Sequence, residues 1–448
     1  MATPVTYPLL THGPRERVAV WRDRIVSREM FLAHARRLAE ELPEAPFAIN
    51  ICDDRYAFLT TLAAALIRGQ TTLLPPSRAP AIIEELAADY AGSYCLVDTP
   101  IQLTGVSQYA VALDESGVPD KEAAVPEIPA DLVAAIVFTS GSTGRPSPNP
   151  KRWGDLVVGL RLARQRFGFQ GNGQETVLAT VPPQHMYGLE VSIVLPLVAA
   201  ACVHAGRPFF PEDIRQAITA LTEPRTMFTT PAHLRACVGS GLSWPRLSRI
   251  VSATAPLSTE LANRAERIFS CHVLEIYGCS EAGSMASRRT VDGELWRFYD
   301  GIRSEEKNDV VYVNASHLPD PVPLNDFIEM QSDSSFKLLG RHADLINIAG
   351  NRASLSDLTL KLNAIEGVRD GVFVMPDSQA GEDTARVAAL VVAPDLSKKK
   401  ILSMLAEHVS PVFLPRPLYQ VDSLPRNAMG KLPREALLQL LEQLRRSP

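Results

Sequence analysis

The sequence predicts an α/β architecture: a large amino-terminal part with parallel-rich sheets covered by helices, followed by a small α+β unit. Three observations lead there. Short apolar runs alternate with helical patterns over the first hundred residues, as in repeated β-α units. The run Ala134-Ala135-Ile136-Val137-Phe138 stops abruptly in Thr139-Ser140-Gly141-Ser142-Thr143-Gly144. Such a hydroxyl and glycine loop can turn its backbone N–H groups toward one anion, usually polyphosphate. Near residue 340 the pattern changes to a compact α+β unit, and 448 residues suit two or more domains at roughly 150 residues each. The boundary is set at 1–340 and 341–448.

The elements follow in order. Phe31 to Leu42 has helical spacing with a start signal at Ser27, and Phe47 to Ile51 reads as a buried strand. Tyr56 to Gly69 is an alanine-rich helix ended by glycine. Thr72 to Leu74 is a short strand, Ala81 to Tyr90 a helix and Tyr94 to Val97 a strand. Residues 113–130, rich in Pro, Asp, Glu and Ala, read as a surface connector. Phe336 to Leu339 is strand-like and precedes Gly340-Arg341. Beyond it the pattern predicts strands at Leu345–Ile348, Gly371–Met375 and Arg386–Val392, and helices at Leu355–Ala364, Lys400–His408 and from Pro433 onward.

Composition excludes several classes. A hydrophobic content of 46% and a charged content of 21% are those of an ordinary globular chain. A net charge of -5 gives no reason to expect nucleic acid. The longest apolar segment, Val191 to Val203, is broken by Ser192 and Pro196 and falls short of a membrane span, so a buried core element is expected there. The first residues lack the basic and apolar regions of a signal peptide. Cys52, Cys95, Cys202, Cys237, Cys271 and Cys279 are scattered without C-x-x-C spacing, which fits reduced thiols in a cytoplasmic protein and no metal site. The 139–144 loop is not a P-loop, because no Lys-Ser/Thr pair follows.

Four motifs stand in a fixed order: the loop continuing as Thr143-Gly144-Arg145-Pro146; Tyr277-Gly278-Cys279-Ser280-Glu281, preceded by Ser252-Ala253-Thr254-Ala255-Pro256-Leu257; Gly340-Arg341-His342-Ala343-Asp344 running into Ile346 to Arg352; and Pro425-Arg426-Asn427-Ala428-Met429-Gly430-Lys431. Together, from about residue 15 to the end, they resemble the adenylate-forming superfamily of acyl-CoA synthetases, luciferases and nonribosomal adenylation domains. The resemblance implies that a carboxylate attacks the α-phosphate of ATP, and that a thiol, of CoA or of a carrier protein's phosphopantetheine, then displaces AMP.

The resemblance also implies roles for individual residues. Thr139, Ser140, Gly141, Ser142, Thr143 and Gly144 would bind the β- and γ-phosphates, and Glu281 would hold Mg²⁺. Ser280 would reach the α-phosphate, Tyr277 and Gly278 would lie near adenine, and the backbone of Ala253, Thr254, Ala255 and Pro256 would face the base. Asp326 would bind the ribose hydroxyls, with Arg341 near ribose and phosphate. Lys431 would stabilise charge at the attacking carboxylate and the α-phosphate. A hinge after Gly340-Arg341 would then swing a mobile carboxyl-terminal domain, withdrawing Lys431 and bringing Gly350 to line the thiol's path.

Three positions depart from the common family pattern. Ser147 stands where a lysine often follows, so Lys151 or Arg145 is the candidate replacement cation. Ala343 stands at the usual hinge aspartate, and Asn325-Asp326 replaces Gly-Asp while keeping the carboxylate. His185, in Pro182-Pro183-Gln184-His185-Met186-Tyr187-Gly188, is a candidate gate or carboxylate neighbour, or a hydrogen-bonded structural histidine. Met186, Tyr187, Leu189, Thr230, Pro231 and His233 are candidate pocket neighbours. The segments 346–355 and 424–431 are most similar to compact bacterial ligases of aryl-polyene and xanthomonadin-type pathways. That similarity implies an aromatic acid such as a hydroxybenzoate, and an acyl carrier protein as acceptor. A fatty-acyl or other aryl-CoA ligase is the alternative. A nucleotide-binding sensor or scaffold that has lost catalysis is a second, favoured by Ser147 and Ala343.

Overall fold

The computed structural model describes residues 4–114, 124–139, 147–169, 173–308, 310–341, 345–348, 351–376, 386–427 and 430–446. Two large sheets dominate. The six-stranded one runs Ser147–Arg152, Val133–Thr139, Thr71–Leu74, Phe47–Asn50, Tyr94–Val97, Gln108–Ala110. All its neighbours are parallel except the first pair, where Ser147 lies opposite Thr139 in an antiparallel ladder. Residues 140–146, which separate those two strands in sequence, lie outside the described residues.

The eleven-stranded sheet has a parallel centre: His272–Cys279, Arg249–Ser252, Arg225–Thr229, Thr176–Ala179, Cys202–His204 and Arg17–Trp21. Antiparallel strands extend one flank in the order Gly283–Arg289, Leu295–Phe298, Ser335–Arg341, Asp326–Ser332. The parallel strands are buried on both faces, which explains their continuous apolar sequence.

The expected helices form, with edges set by capping. Arg28–Glu41 starts where the Ser27 hydroxyl accepts the Met30 N–H, three residues before its first apolar position. Arg55–Ile67 starts at Asp54, whose carboxylate accepts from Ala57 N, and Gly69 follows it at φ +69. Lys398–Ala406 begins two residues earlier than its apolar pattern, capped by Ser397. The segment Val191 to Val203 is a core element as expected. It forms a π-turn at Glu190–Val194, the helix Leu195–Ala199, whose first turn accommodates Pro196, and the strand Cys202–His204. The connector 113–130 is not wholly irregular, because Glu127–Pro129 pairs with Thr6–Pro8. All six cysteines are free thiols, four of them buried. Among the described residues no helix is long and apolar enough to cross a membrane.

From Ile346 onward the chain packs into cores of its own. One gathers Ile346, Leu358, Phe373, Val391 and Ile401; the other gathers Val372, Leu390, Leu437 and Leu441. The two faces of the short sheet Asp370–Val374, Ala388–Val392, Leu418–Gln420 serve these two cores. The helix Arg434–Arg446 covers one of them.

Burial pushes His12, His233 and His317 down to about 4 from the ordinary 6.5. Between those values the unfolded chain binds more protons than the folded one, so stability falls as pH drops through that window. Each histidine contributes roughly 1.4 kcal/mol per pH unit there. The urea midpoint should therefore fall from about pH 7 to about pH 5, and His12→Gln should make that fall shallower by about one proton's worth.

Candidate active site

The four central parallel strands end on one edge, and four of the functional segments start from those ends. His185 follows Thr176–Ala179, Thr230 follows Arg225–Thr229, Ala253 follows Arg249–Ser252, and Tyr277 to Glu281 close His272–Cys279.

The nucleotide residues expected on separate segments meet here. The Tyr277 hydroxyl donates to Asp326 Oδ2 at 2.6 Å. Its ring packs on Trp296 and Phe336, with centroids 5.8 and 5.4 Å away. Tyr277 is thus a buried aromatic whose polar end orients the Asp326 carboxylate. Asp326 lies directly across the ladder from Arg341, so the backbone brings that basic residue to the same edge. The 253–257 segment is held from below: Leu257 N–H donates to the buried Glu275 carboxylate at 2.9 Å, and Arg288 pairs with the other oxygen at 2.6 Å. Thr254 sits at φ +81, a backbone region that non-glycine residues seldom occupy outside constrained sites.

Glu281 tops the short turn between His272–Cys279 and Gly283–Arg289, and its side chain is exposed. Gly278 has a packing reason: a Cβ there would lie 2.4 Å from the Gly283 carbonyl oxygen. Among the described residues the Glu281 carboxylate has no ion-pair partner. No cluster of three metal-ligating side chains occurs among them either. A single free carboxylate fits Mg²⁺, which usually takes one or two carboxylates plus phosphate oxygens and water.

Lys151 is buried, and its Nζ donates to the Glu281 carbonyl at 2.6 Å. Desolvation lowers its pKa, opposed by Glu190, Cys279 and Glu281. Sequence reasoning missed Glu190. Its carboxylate is buried, accepts the Ser284 N–H at 3.0 and 3.2 Å, and is raised to about 7 by burial. The available signal was a lone acid inside the apolar run Tyr187-Gly188-Leu189-Glu190-Val191.

His185 is half-buried and pushed down to about 4, first by burial and then by the positive charges of Lys431 and Arg207. It is therefore neutral at physiological pH and near Lys431. Tyr187 faces inward instead of lining a pocket, its hydroxyl donating to Val251 O at 3.0 Å and Thr229 O at 3.3 Å. Leu189 is likewise core. His233 Nδ1 lies 3.0 Å from Thr230 Oγ1 and 3.2 Å from Thr180 Oγ1.

Lys431 reaches this edge from the carboxyl-terminal unit. Its turn is closed by Asn427, which accepts the Lys431 N–H at 3.0 Å and the Gly430 N–H at 2.8 Å. Gly430, at φ +70, lies against the site: a Cβ there would be 3.2 Å from Thr230 Oγ1. Asp370 ties the two parts together, 2.6 Å from Arg426 and 3.5 Å from Arg235. Ser140 to Gly144, Ala343 and Gly350 lie outside the described residues, as does the side chain of Arg341. A separate cavity of about 240 Å³, lined by Trp21, Asp54, Asp98 and Leu113, contains none of these residues.

Comparison with known proteins agrees with this layout. Residues 88–301 match the family of AMP-binding enzymes. The chain carries this match over just under half of its length. It is 27% identical over 346 residues to a 4-coumarate–CoA ligase of Halorhodospira halophila, covering 71% of this chain and 83% of that one. Its fold is that of ATP-bound MatB from Rhodopseudomonas palustris, with a TM-score of 0.80 at 17% identity, covering 96% and 97% of the two chains. An anthranilate CoA ligase, AuaEII, in complex with anthranoyl-AMP superposes with a TM-score of 0.79 at 14% identity, covering 99% of each chain.

The Tyr277–Asp326 hydrogen bond makes nucleotide binding at this edge testable. Tyr277→Phe removes the donor that orients Asp326 and should weaken AMP binding by roughly ten-fold or more, the value of a hydrogen bond to a charged acceptor. Titration calorimetry reads the change, and Asp326→Ala should weaken binding more.

Proposed function

We propose that this enzyme activates a carboxylic acid with ATP and passes the acyl group to a thiol. The observation that carries the reading is the seating of the Lys431 turn against Thr230, within electrostatic reach of His185 and on the same strand-end edge as Glu281 and Asp326. In-line displacement at phosphorus requires alignment and charge neutralisation more than covalent help, and these residues can supply both.

The acid's carboxylate oxygen attacks the α-phosphorus, the bond to the pyrophosphate leaving group breaks, and an acyl-adenylate forms. Lys431 neutralises the charge shared by the attacking oxygen and the α-phosphate. Asp326, oriented by Tyr277, receives the ribose hydroxyls. Glu281 would hold Mg²⁺, which when bound neutralises phosphate charge. Neutral His185 borders the acid without adding a competing charge. In the second step the thiol sulfur attacks the acyl carbon and AMP leaves. The carboxyl-terminal unit, residues 341–448 in this reading, moves between the steps, withdrawing Lys431 and presenting Gly350.

An aromatic acid, such as a hydroxybenzoate, is the proposed substrate, and an acyl carrier protein the proposed acceptor ahead of CoA. The names of the relatives acting on 4-coumarate and anthranilate support an aromatic acid. The resemblance of segments 346–355 and 424–431 to the aryl-polyene type ligases supports the carrier. Free cysteines and the requirement for ATP support a cytoplasmic setting.

Acid-dependent pyrophosphate release, measured over benzoic, hydroxybenzoic, cinnamic and straight-chain acids, tests the reading. Aromatic acids should respond. A response confined to aliphatic acids would replace the aromatic assignment, and none at all would favour a nucleotide sensor. Lys431→Ala should lower the rate at least about a hundred-fold, the scale of losing one preorganised transition-state donor, with ATP affinity nearly unchanged. Gly430→Ala should lower it about ten-fold, because a left-handed backbone and the approach to Thr230 both resist a side chain.

A further inference from the structure

Behind the Glu281 turn lie two buried charges of opposite sign. Lys151 sits on Ser147–Arg152, the strand that leaves the polar loop, and Glu190 opens the π-turn that follows the His185 segment. Lys151 is 8% exposed and Glu190 6%. Neither forms a direct ion pair with the other, although each feels the other's charge. Each bonds instead to the backbone of the same turn. Lys151 takes the Glu281 carbonyl at 2.6 Å, and Glu190 takes the Ser284 N–H with both oxygens, at 3.0 and 3.2 Å. One group lies at the crest of the turn and the other at the start of its outgoing strand.

The turn needs such support. The pairing of His272–Cys279 with Gly283–Arg289 shifts register between Tyr277 and Gly278, so the hairpin's own ladder is interrupted just before the turn. Gly283 stands at φ +77, and a Cβ there would lie 2.5 Å from Glu190 Oε1, so the carboxylate fills the space a side chain would take. A buried charge without a counter-charge is strongly destabilising, and Lys151 and Glu190 compensate each other while both grip the turn. π-Turns of this kind are frequent at functional sites.

We propose that Lys151 and Glu190 form a buried brace that holds the Glu281 turn at its crest and at the start of its outgoing strand, which makes them positioning residues for the Glu281 carboxylate and assigns Lys151 no contact with phosphate. The brace joins three segments, the polar-loop hairpin, the His185 segment and the Glu281 turn, into one rigid body. The role of Glu281 rests on the acid-activation reading above; the brace itself does not.

Hydrogen exchange of the protein without nucleotide tests the brace directly, followed by calorimetry of ATP with and without Mg²⁺. In Glu190→Ala and Lys151→Met, backbone amides over residues 280–286 should exchange at least about ten-fold faster, with other core segments within about two-fold. Mg²⁺-dependent ATP affinity should fall about ten-fold and metal-free ATP affinity stay within about two-fold. Glu190→Gln keeps an acceptor for Ser284 N–H and should restore most of the protection. Should Glu190→Ala not fold, Lys151→Met and Glu190→Gln still decide. Unchanged exchange over 280–286 in folded variants overturns the brace. So does a roughly ten-fold loss of metal-free ATP affinity in Lys151→Met with exchange unchanged, since that is the signature of a phosphate ligand. A wild-type chain inert toward every acid overturns the acid-activation reading alone, because the exchange result is independent of turnover.

Discussion

Parallel strands must all point the same way, and from that constraint the rest of this structure follows. Thr176–Ala179, Arg225–Thr229, Arg249–Ser252 and His272–Cys279 are hydrogen-bonded neighbours in register. Their carboxyl ends therefore share an edge, and the loops that leave them cannot avoid one another. Chain segments nearly a hundred residues apart, from His185 to Glu281, are thereby set side by side. Asp326 joins them from the antiparallel flank, where its strand pairs with Ser335–Arg341.

Loops at such an edge have unpaired backbone groups, and buried carboxylates supply many of the missing partners. Glu275 takes Leu257 N–H beneath the 253–257 segment and is balanced by Arg288 and Thr290. At the opposite ends of these strands Glu175 accepts from the Thr226 hydroxyl and pairs with Arg249. Arg55, wholly buried, donates to the carbonyls of Ala179 and Val181 just where the chain leaves its strand for His185. Buried charge is costly as a source of stability. Here it fixes irregular backbone through direct hydrogen bonds, which the alignment of reactants in the proposed function requires.

The carboxyl-terminal unit is attached differently. It packs into cores of its own, and the contacts that seat Lys431 are a glycine against Thr230 and an Arg235–Asp370–Arg426 cluster that remains partly solvated. Partly solvated ion pairs contribute about 1 kcal/mol or less each. Such a junction specifies a position without locking it, as the alternation in the proposed function requires.

The sequence alone carried the α/β class, most helix starts and the four motifs, because capping, periodicity and glycine placement are local properties. Ser27, Asp54 and Ser397 act as caps through bonds only three residues long. Tertiary structure decided which polar residues bond to main chain and which to other side chains. Tyr187 and Tyr277 sit in equally suggestive motifs, yet one spends its hydroxyl on main-chain carbonyls and the other on Asp326. Lys151 reads in sequence as a candidate replacement cation for the phosphate loop, yet its ammonium is enclosed and bonded to a carbonyl 130 residues away. Glu190 gave almost no local signal, because its partner N–H is 94 residues distant. A side chain's chemical type is written in the sequence, but whether it ends in water, on substrate or against another strand depends on long-range packing, and that only the folded chain determines.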